Sequence, residues 1–339
     1  SIGVVHTDLG TMGRMANEYF NSVFTAEHSL DATQILNLHE AKVSEADNIK
    51  LCAPFSDKEI SDALFQIGPL KAPGPDGMPS LVFKRHWHFM VDYVVEEVLK
   101  VLNGGDMPEG WNDTLVVLIP KVKDSNRIKD LRPISLCNVV YKLISKVITR
   151  ILKNIFPEII SPNQSAFVSG RMISDNILLA YEMTHFLERK RGGRVSYAAI
   201  KLDMSKAYDW AEWCFLQDMM RKMGFEMRWI HPIMKCVMTV RYQVKVNHDV
   251  TETIIPTRGL RQGDPLSPYL FIICAEGFSA LLHEAERHKR IEGIKGSFRA
   301  PSVNHLLFAD DSLLLIKAVK SNAQEVDRIL NIYATSSGQ

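Results

Sequence analysis

From residue 305 to residue 316 the chain runs in blocks. Leu306, Leu307 and Phe308 are apolar, Ala309-Asp310-Asp311-Ser312 form a short polar tip, and Leu313, Leu314, Leu315 and Ile316 are apolar again. An apolar run, a tight tip and a second apolar run predict a buried β-hairpin with two adjacent carboxylates at its turn. Elsewhere the pattern turns helical. Ile60, Ala63, Leu64 and Ile67 share one face of a helix over 56–67, which Ser56 and Glu59 open as a capping box and Gly68-Pro69 close. KAPGPDG (71–77) reads as a rigid surface loop. Phe83, Trp87, Met90, Val94 and Val98 predict a helix over 81–102, stopped by Gly104-Gly105, with His86 and His88 on its surface. Residues 1–50 are polar and mixed; 15–24 fits one short amphipathic helix with no evident chemistry.

Two strand-like runs follow, 114–121 and 131–136. Pro133 assigns the second to a sheet edge, because proline has no N–H for a ladder. Helices are predicted over 139–155 and 175–190, the latter ending in Arg189, Lys190, Arg191 and Arg194. The strand 197–202 places Asp203 at its C-terminal end, where ligand sites gather in layered α/β arrangements. Helices over 211–223 and 229–238 precede a hairpin of 242–247 and 252–257, turning at His248-Asp249. A basic, glycine-bearing loop from residue 258 leads into a helix with Ser267 as N-cap and Pro268 as first residue. A last helix covers 324–333. No internal repeat or low-complexity tract is present.

Composition adds bounds. With 339 residues, 46% hydrophobic and 23% charged, the chain can build a sizeable core of two or three subdomains. A net charge of +1 means that any nucleic-acid surface must be local. The five cysteines have no paired spacing, which argues against a zinc site or disulfide framework and fits a reducing compartment. No apolar run approaches the roughly 20 residues of a membrane span, so no membrane partner is expected. No signal peptide opens the chain. Ser1 is its first residue and SSGQ its last, so we expect a piece of something longer.

The candidate chemistry centres on carboxylates. A turn can satisfy one Asp with local backbone bonds. A second one wedged between Leu and Phe is costly unless something neutralises it, and oxygen ligands suit Mg²⁺. Asp203 is distant in sequence and can join Asp310 and Asp311 only through the fold. If it does, three carboxylates surround one or two Mg²⁺ ions, the equipment for in-line displacement at phosphorus. Lys142, Lys146, Arg150 and Lys153 form a basic stripe on one helix face. It is either a solvated face or a rail for phosphates.

KAPGPDG, LRPISL, QSAFVSGR, KLDMSKAYD, RGLRQGDPLSPYLF and HLLFADDSLLL stand in this order, and the chain thereby resembles the reverse transcriptase domain of non-LTR (LINE-type) retrotransposons, most like those of plants. The resemblance runs from about residue 15 to 339. It implies an α+β right-hand polymerase fold, with an N-terminal extension (1–50), fingers (51–195) and a palm (196–339) cut before the thumb. It implies that Asp203, Asp310 and Asp311 are the catalytic metal ligands, joined by the Met204 carbonyl, for two Mg²⁺ ions with Mn²⁺ as a substitute. Tyr208 matches the aromatic gate that stacks under the incoming sugar. Gln262-Gly263 match the segment lining the nascent base pair, and Lys121 and Arg132 the residues that hold the triphosphate. Arg171 and the 142–153 stripe become candidates for nucleic-acid contact. Implied partners are an RNA template, a DNA primer and dNTPs, with the endonuclease and thumb regions of the same polyprotein lying outside this chain. The implied location is the nucleus and a cytoplasmic ribonucleoprotein.

One departure stands out. After Asp209 the family usually has Arg-Val, where this chain has Trp210-Ala211. That change and the short span admit a second reading, an inactive relic that keeps the fold and binds nucleic acid. A third reading, an RNA-dependent RNA polymerase on a similar palm, is opposed by the bulky ring of Tyr208.

Overall fold

A computed structural model describes residues 8–26, 31–123, 125, 127–189, 196–297 and 299–339. Lys190, Arg191 and Arg194 of the basic cluster lie outside the described residues.

The chain opens with helices α1 (Leu9–Phe24), α2 (Thr33–Leu36), α3 (Glu45–Leu51) and α4 (Asp57–Gln66). α4 begins with the predicted capping box: Ser56 Oγ accepts from the Glu59 N–H, and the Glu59 carboxylate accepts from the Ser56 N–H at 2.8 Å. The single helix expected over 81–102 is two, α5 (Ser80–Arg85) and α6 (Trp87–Leu102), which meet at His86. KAPGPDG is more than a surface connector. A Cβ on Gly74 would lie 2.2 Å from Asn138 Oδ1, and the Asp76 N–H donates to that same oxygen. The loop is docked on the start of the long helix that follows the first strand pair.

That pair is β1 (Asp113–Pro120) and β2 (Leu131–Cys137), antiparallel. It leads into α7 (Val139–Ile159) and α8 (Ile173–Arg189). After β3 (Tyr197–Asp203) come α9 (Trp213–Lys222), α10 (Met227–Met238), β4 (Arg241–Val246) and β5 (Asp249–Val250). α11 (Ser267–Arg287), β6 (His305–Phe308), β7 (Asp311–Lys317) and α12 (Lys320–Ser337) complete the fold. It is an α+β fold in which two sheets share one large core. Among the described residues no helix is long and apolar enough to cross a membrane.

The first sheet has the order β2-β1-β4-β5. β2 is at its edge, where Pro133 costs no ladder bond. β1 and β4 run parallel, with Asp113 opposite Arg241. A strand from after residue 196 thus completes a sheet begun before residue 137, so the boundary expected at 195/196 does not separate the sheets. The predicted hairpin of 242–257 is short: β5 holds two residues paired with β4, the Thr251 N–H donates to Val244 O at 2.9 Å, and the return arm rejoins β4 again at the Tyr242–Ile254 bridge.

The second sheet, β3-β7-β6, is antiparallel. Leu307, Leu314 and Ile316 enter the main core. Leu306 and Leu315 pack on the other side with Met183 of α8 and Ile294. Cover on both faces explains why these strands read as continuous apolar runs rather than alternating ones.

α1, expected to carry no chemistry, docks beside β4. Phe24 packs against Tyr242 with ring centroids 4.7 Å apart, and the Thr257 N–H donates to Phe24 O at 2.9 Å.

Candidate active site

The β6–β7 turn is tighter than the sequence suggests. Phe308 pairs with Asp311, so only Ala309 and Asp310 form the turn, and Asp311 is the first residue of β7. Ala309 closes it at φ 53°, a left-handed conformation uncommon outside glycine. Asp311 lies in direct register with Asp203 across β3 and β7. Asp310, in the turn beside them, is half-buried. Burial raises its carboxyl pKa, and the charges of Asp311 and Asp203 raise it further.

Asp203, Met204 and Asp310 line a cavity of about 550 Å³. Asp311 does not. Its Oδ1 lies 3.2 Å from Lys201 Nζ, and it borders a shallow hollow with Ile173, Asn176 and Ile177 of α8. The expected set of three converging carboxylates is therefore a pair facing the cavity and a third turned to a lysine. Among the described residues no group of three or more His, Cys, Asp or Glu side chains is gathered as a ready-made metal centre.

Cations line the same cavity. Lys121 and Arg132 come from the β1–β2 unit as the sequence suggested, joined by Lys129, which it did not. Tyr208 stacks on Phe271 with centroids 5.1 Å apart and planes 22° apart, and burial together with Asp310 pushes its phenol up to about 12. The 258–264 loop holds the backbone that carries that ring. The Leu260 N–H donates to Tyr208 O at 2.7 Å and the Gly259 N–H to Ala211 O at 2.8 Å. Gly259 has φ 98°, and a Cβ there would meet Asp209 O at 2.7 Å, so the close approach requires glycine. Further along, Gln262 O accepts from the Ser135 N–H at 2.8 Å, and Gly263, at φ 107°, leaves 3.3 Å between a would-be Cβ and Ser135 O. Gln262-Gly263 thus lie along the β2 edge, facing the cavity. Ser267 is the first helical residue rather than the cap. Asp264 bonds the Leu266 N–H instead at 3.1 Å and takes Tyr141 OH at 2.6 Å, with Arg261 3.2 Å away.

Several residues escaped the sequence reading. Asp209 is 5% exposed, and burial pushes its carboxyl up to about 6 even though Gln262 Nε2 donates to Oδ1 at 3.2 Å. Tyr19 of α1 lines the cavity with nothing in its local pattern to announce it. Gln164, inside the QSAFVSGR stretch, is almost fully buried. Its Oε1 accepts from the Ala309 N–H at 3.1 Å and the Ala166 N–H at 2.9 Å. The same loop bonds Leu307 in both directions. A buried amide therefore pins the strained turn that carries Asp310, a role that nothing in its polar local sequence announces.

The basic candidates outside the cavity have other partners. Lys142 Nζ donates to Ala72 O at 3.0 Å, tying down KAPGPDG. Arg150 reaches Glu59 O and Asp62, both at 3.3 Å, on α4. Lys146 sits half-buried between them, and Lys153 is exposed. Much of the stripe is thus a seam between helices. Arg171, proposed for nucleic acid, donates to the carbonyls of Ser161, Gln164, Pro157 and Ile160 at 2.5–3.1 Å. Its guanidinium is engaged in closing the end of α7, because that helix terminus leaves carbonyls without intrahelical partners.

The family profile described as reverse transcriptase (RNA-dependent DNA polymerase) matches residues 119–338, well over half of the chain, and so takes in β2 to α12. The chain belongs to the reverse transcriptase family, and within it to the domains of non-LTR, LINE-type retrotransposons. It is 29% identical to the "Transposon TX1 uncharacterized 149 kDa protein" of Xenopus laevis over 95% of this chain and 24% of that protein. It is 29% identical to the "Retrovirus-related Pol polyprotein from type-1 retrotransposable element R2" of Nasonia vitripennis, over 82% of this chain and 25% of that protein. A 59-residue stretch is 58% identical to an uncharacterized mitochondrial protein of Arabidopsis thaliana, covering 17% of this chain and 48% of that one. The chain spans about a quarter of the length of the two longer relatives.

Proposed function

We propose that this chain is the fingers-and-palm part of an RNA-directed DNA polymerase, which adds dNTPs to a primer 3′-OH on an RNA template. The observation that carries the reading is the single cavity in which Asp203 and Asp310 face Lys121, Lys129 and Arg132. Carboxylates and cations lining one cavity match a metal-bound triphosphate. On this reading residues 51–195 contribute the fingers and 196–339 the palm, with β4 reaching across. Residues 1–50 are an extension whose α1 walls the cavity. Thumb and endonuclease belong to the rest of a longer polyprotein that works as a ribonucleoprotein in the cytoplasm and nucleus.

The donor set fits Mg²⁺, with Mn²⁺ as a substitute. It offers hard oxygens, and Asp310, whose proton affinity is raised first by burial and then by the charges of Asp311 and Asp203, has a carboxylate that a divalent cation would stabilise. Asp203 and Asp310, with the Met204 carbonyl, would hold it, and Asp311 adds negative charge beside them. When bound, a pair of such ions stabilises the attacking and leaving oxygens of an in-line displacement. Arg132 grips phosphate oxygens through its planar fork, aided by Lys121. Tyr208, immobilised on Phe271, would exclude a 2′-hydroxyl. Gln262-Gly263, bonded to β2, line the nascent base pair.

The test is primer extension on an RNA template, with the chain lengthened through the thumb. Incorporation that vanishes in Asp310→Ala supports the reading, and equal incorporation by the variant removes it. Tyr208→Ala should admit ribonucleotides; an unchanged preference for dNTPs would take Tyr208 out of the gate.

A further inference from the structure

Four cations line the cavity, and Lys206 alone comes from the segment that carries Asp203. Its setting is unusual in two ways. Its backbone is held at φ 53°, a left-handed conformation that costs energy for any residue with a side chain. Its Nζ lies over two aromatic faces, 4.7 Å from the ring centre of Tyr19 on α1 and 5.1 Å from that of Trp210. Ring faces attract a cation without occupying its N–H donors. Among the described residues Lys206 forms no ion pair. Asp209, the acid whose charge it feels most, bonds Gln262 instead. By contrast Lys42, also half-buried near an acid, closes on Glu276 at 2.9 Å. Arg258, 5.9 Å from the Trp210 ring, is likewise engaged, with Glu212 and with Val23 O. Lys206 is therefore a cation brought to a cavity wall under strain, steadied by π-faces, with donors left for an anion.

We propose that Lys206 is a substrate-phosphate contact of the cavity, with Tyr19 and Trp210 as its positioning residues. This rests on the nucleotidyl-transfer reading above. It makes Trp210 a working part of the site rather than damage to it, and it gives α1 a function. The ligand chemistry is a polyphosphate chain, the part of a dNTP that every base shares.

The experiment is calorimetric titration of inorganic tripolyphosphate, with Mg²⁺ present, into the full chain, together with steady-state dNTP kinetics in the lengthened chain. Lys206→Met should weaken tripolyphosphate binding by about tenfold or more, as loss of a charge-assisted contact does. Lys206→Arg should restore most of it. Tyr19→Leu and Trp210→Leu should each weaken it by about threefold to tenfold, while Tyr19→Phe and Trp210→Phe, which keep a ring, should not. In extension assays Lys206→Met should raise the dNTP KM more than it lowers kcat. Unchanged tripolyphosphate affinity in Lys206→Met, or no binding by the wild type, overturns the inference. Phe variants as weak as the Leu variants, with unchanged thermal midpoints, overturn the positioning roles. If the wild type binds tripolyphosphate through Lys206 but incorporates no dNTP, the polymerase reading fails and the phosphate contact stands.

Discussion

Two regions of the molecule treat charge in opposite ways. On α11, Glu276 is 2% exposed, yet it takes Lys42 Nζ at 2.9 Å and the Ser161 N–H at 3.0 Å. Beside it Ser161 Oγ meets Ser279 Oγ at 3.0 Å, and Ser279 Oγ meets His305 Nε2 at 2.9 Å. Burial and the nearby His283 push the His305 imidazole down to about 3, so it stays neutral. Acid and base there are matched internally, as a folded core requires. Around Asp310 the matching is incomplete: Asp311 meets Lys201 at 3.2 Å, while Asp203 and Asp310 form no ion pair among the described residues. Burial, and then the charges of Asp311 and Asp203, raise the proton affinity of Asp310, and Lys121, Lys129, Arg132 and Lys206 line the same cavity without forming ion pairs among the described residues. The first cluster holds the protein together. The second leaves charge exposed to a ligand that brings its own.

The sharpest way to break this contrast is a crossed pair of substitutions. Asp310→Ala should lower primer extension by about a thousandfold or more, yet leave the thermal midpoint unchanged or higher, since it relieves like-charge crowding. Glu276→Ala should do the reverse. It strands Lys42 and the Ser161 N–H and should cost about 3 kcal/mol in denaturant unfolding, with kcat retained at temperatures where the chain stays folded. Comparable stability losses in both variants would erase the distinction.

Gln164→Leu probes the link between core and site. It keeps the volume but leaves the Ala309 and Ala166 N–H groups without their acceptor, at about 2 kcal/mol. The loosened turn should also lower kcat more than it alters the dNTP KM; a purely thermal effect would make Gln164 a core residue only.

The smallest effect lies at Asp209, whose carboxyl is pushed up to about 6 from an ordinary 3.8. Through that window the folded chain keeps a proton that the unfolded chain has lost. Its contribution therefore erodes stability as pH rises from about 4 to 6, and the erosion is complete above. Asp209→Asn should stabilise the chain by up to about 2 kcal/mol at pH 7.5, with no gain below pH 4. Parallel stability curves for variant and wild type would contradict it.

The hairpin, the Asp203 strand, the capping box of α4 and the edge position of β2 were all legible, because each rests on local periodicity or on a residue with one backbone habit. The candidate site was legible where the family motifs named it: Asp203, Asp310, Tyr208, Gln262, Gly263, Lys121 and Arg132 all reach or line one cavity. What sequence could not supply was direction. Asp310 and Asp311 are neighbours in the chain, but a two-residue turn sends one to the cavity and the other to Lys201. Arg171 and Arg150 have the charge of phosphate contacts, and only their carbonyl and Asp62 partners show otherwise. Tyr19 joins the cavity because α1 folds against β4, and no spacing rule reaches across that distance.

The parallel seam between β1 and β4 has a consequence for how the chain is made. β1 emerges early with β2 and can form a hairpin at once, but its other edge stays open until residues 241–246 arrive. Pairing across that much chain is slow, and an unfilled strand edge invites other chains. Val116 and Val244, opposite one another and wholly buried, must wait for each other. A nascent polypeptide halted before residue 241 would be sticky rather than half-finished, so the second half of this protein acts as the chaperone of the first.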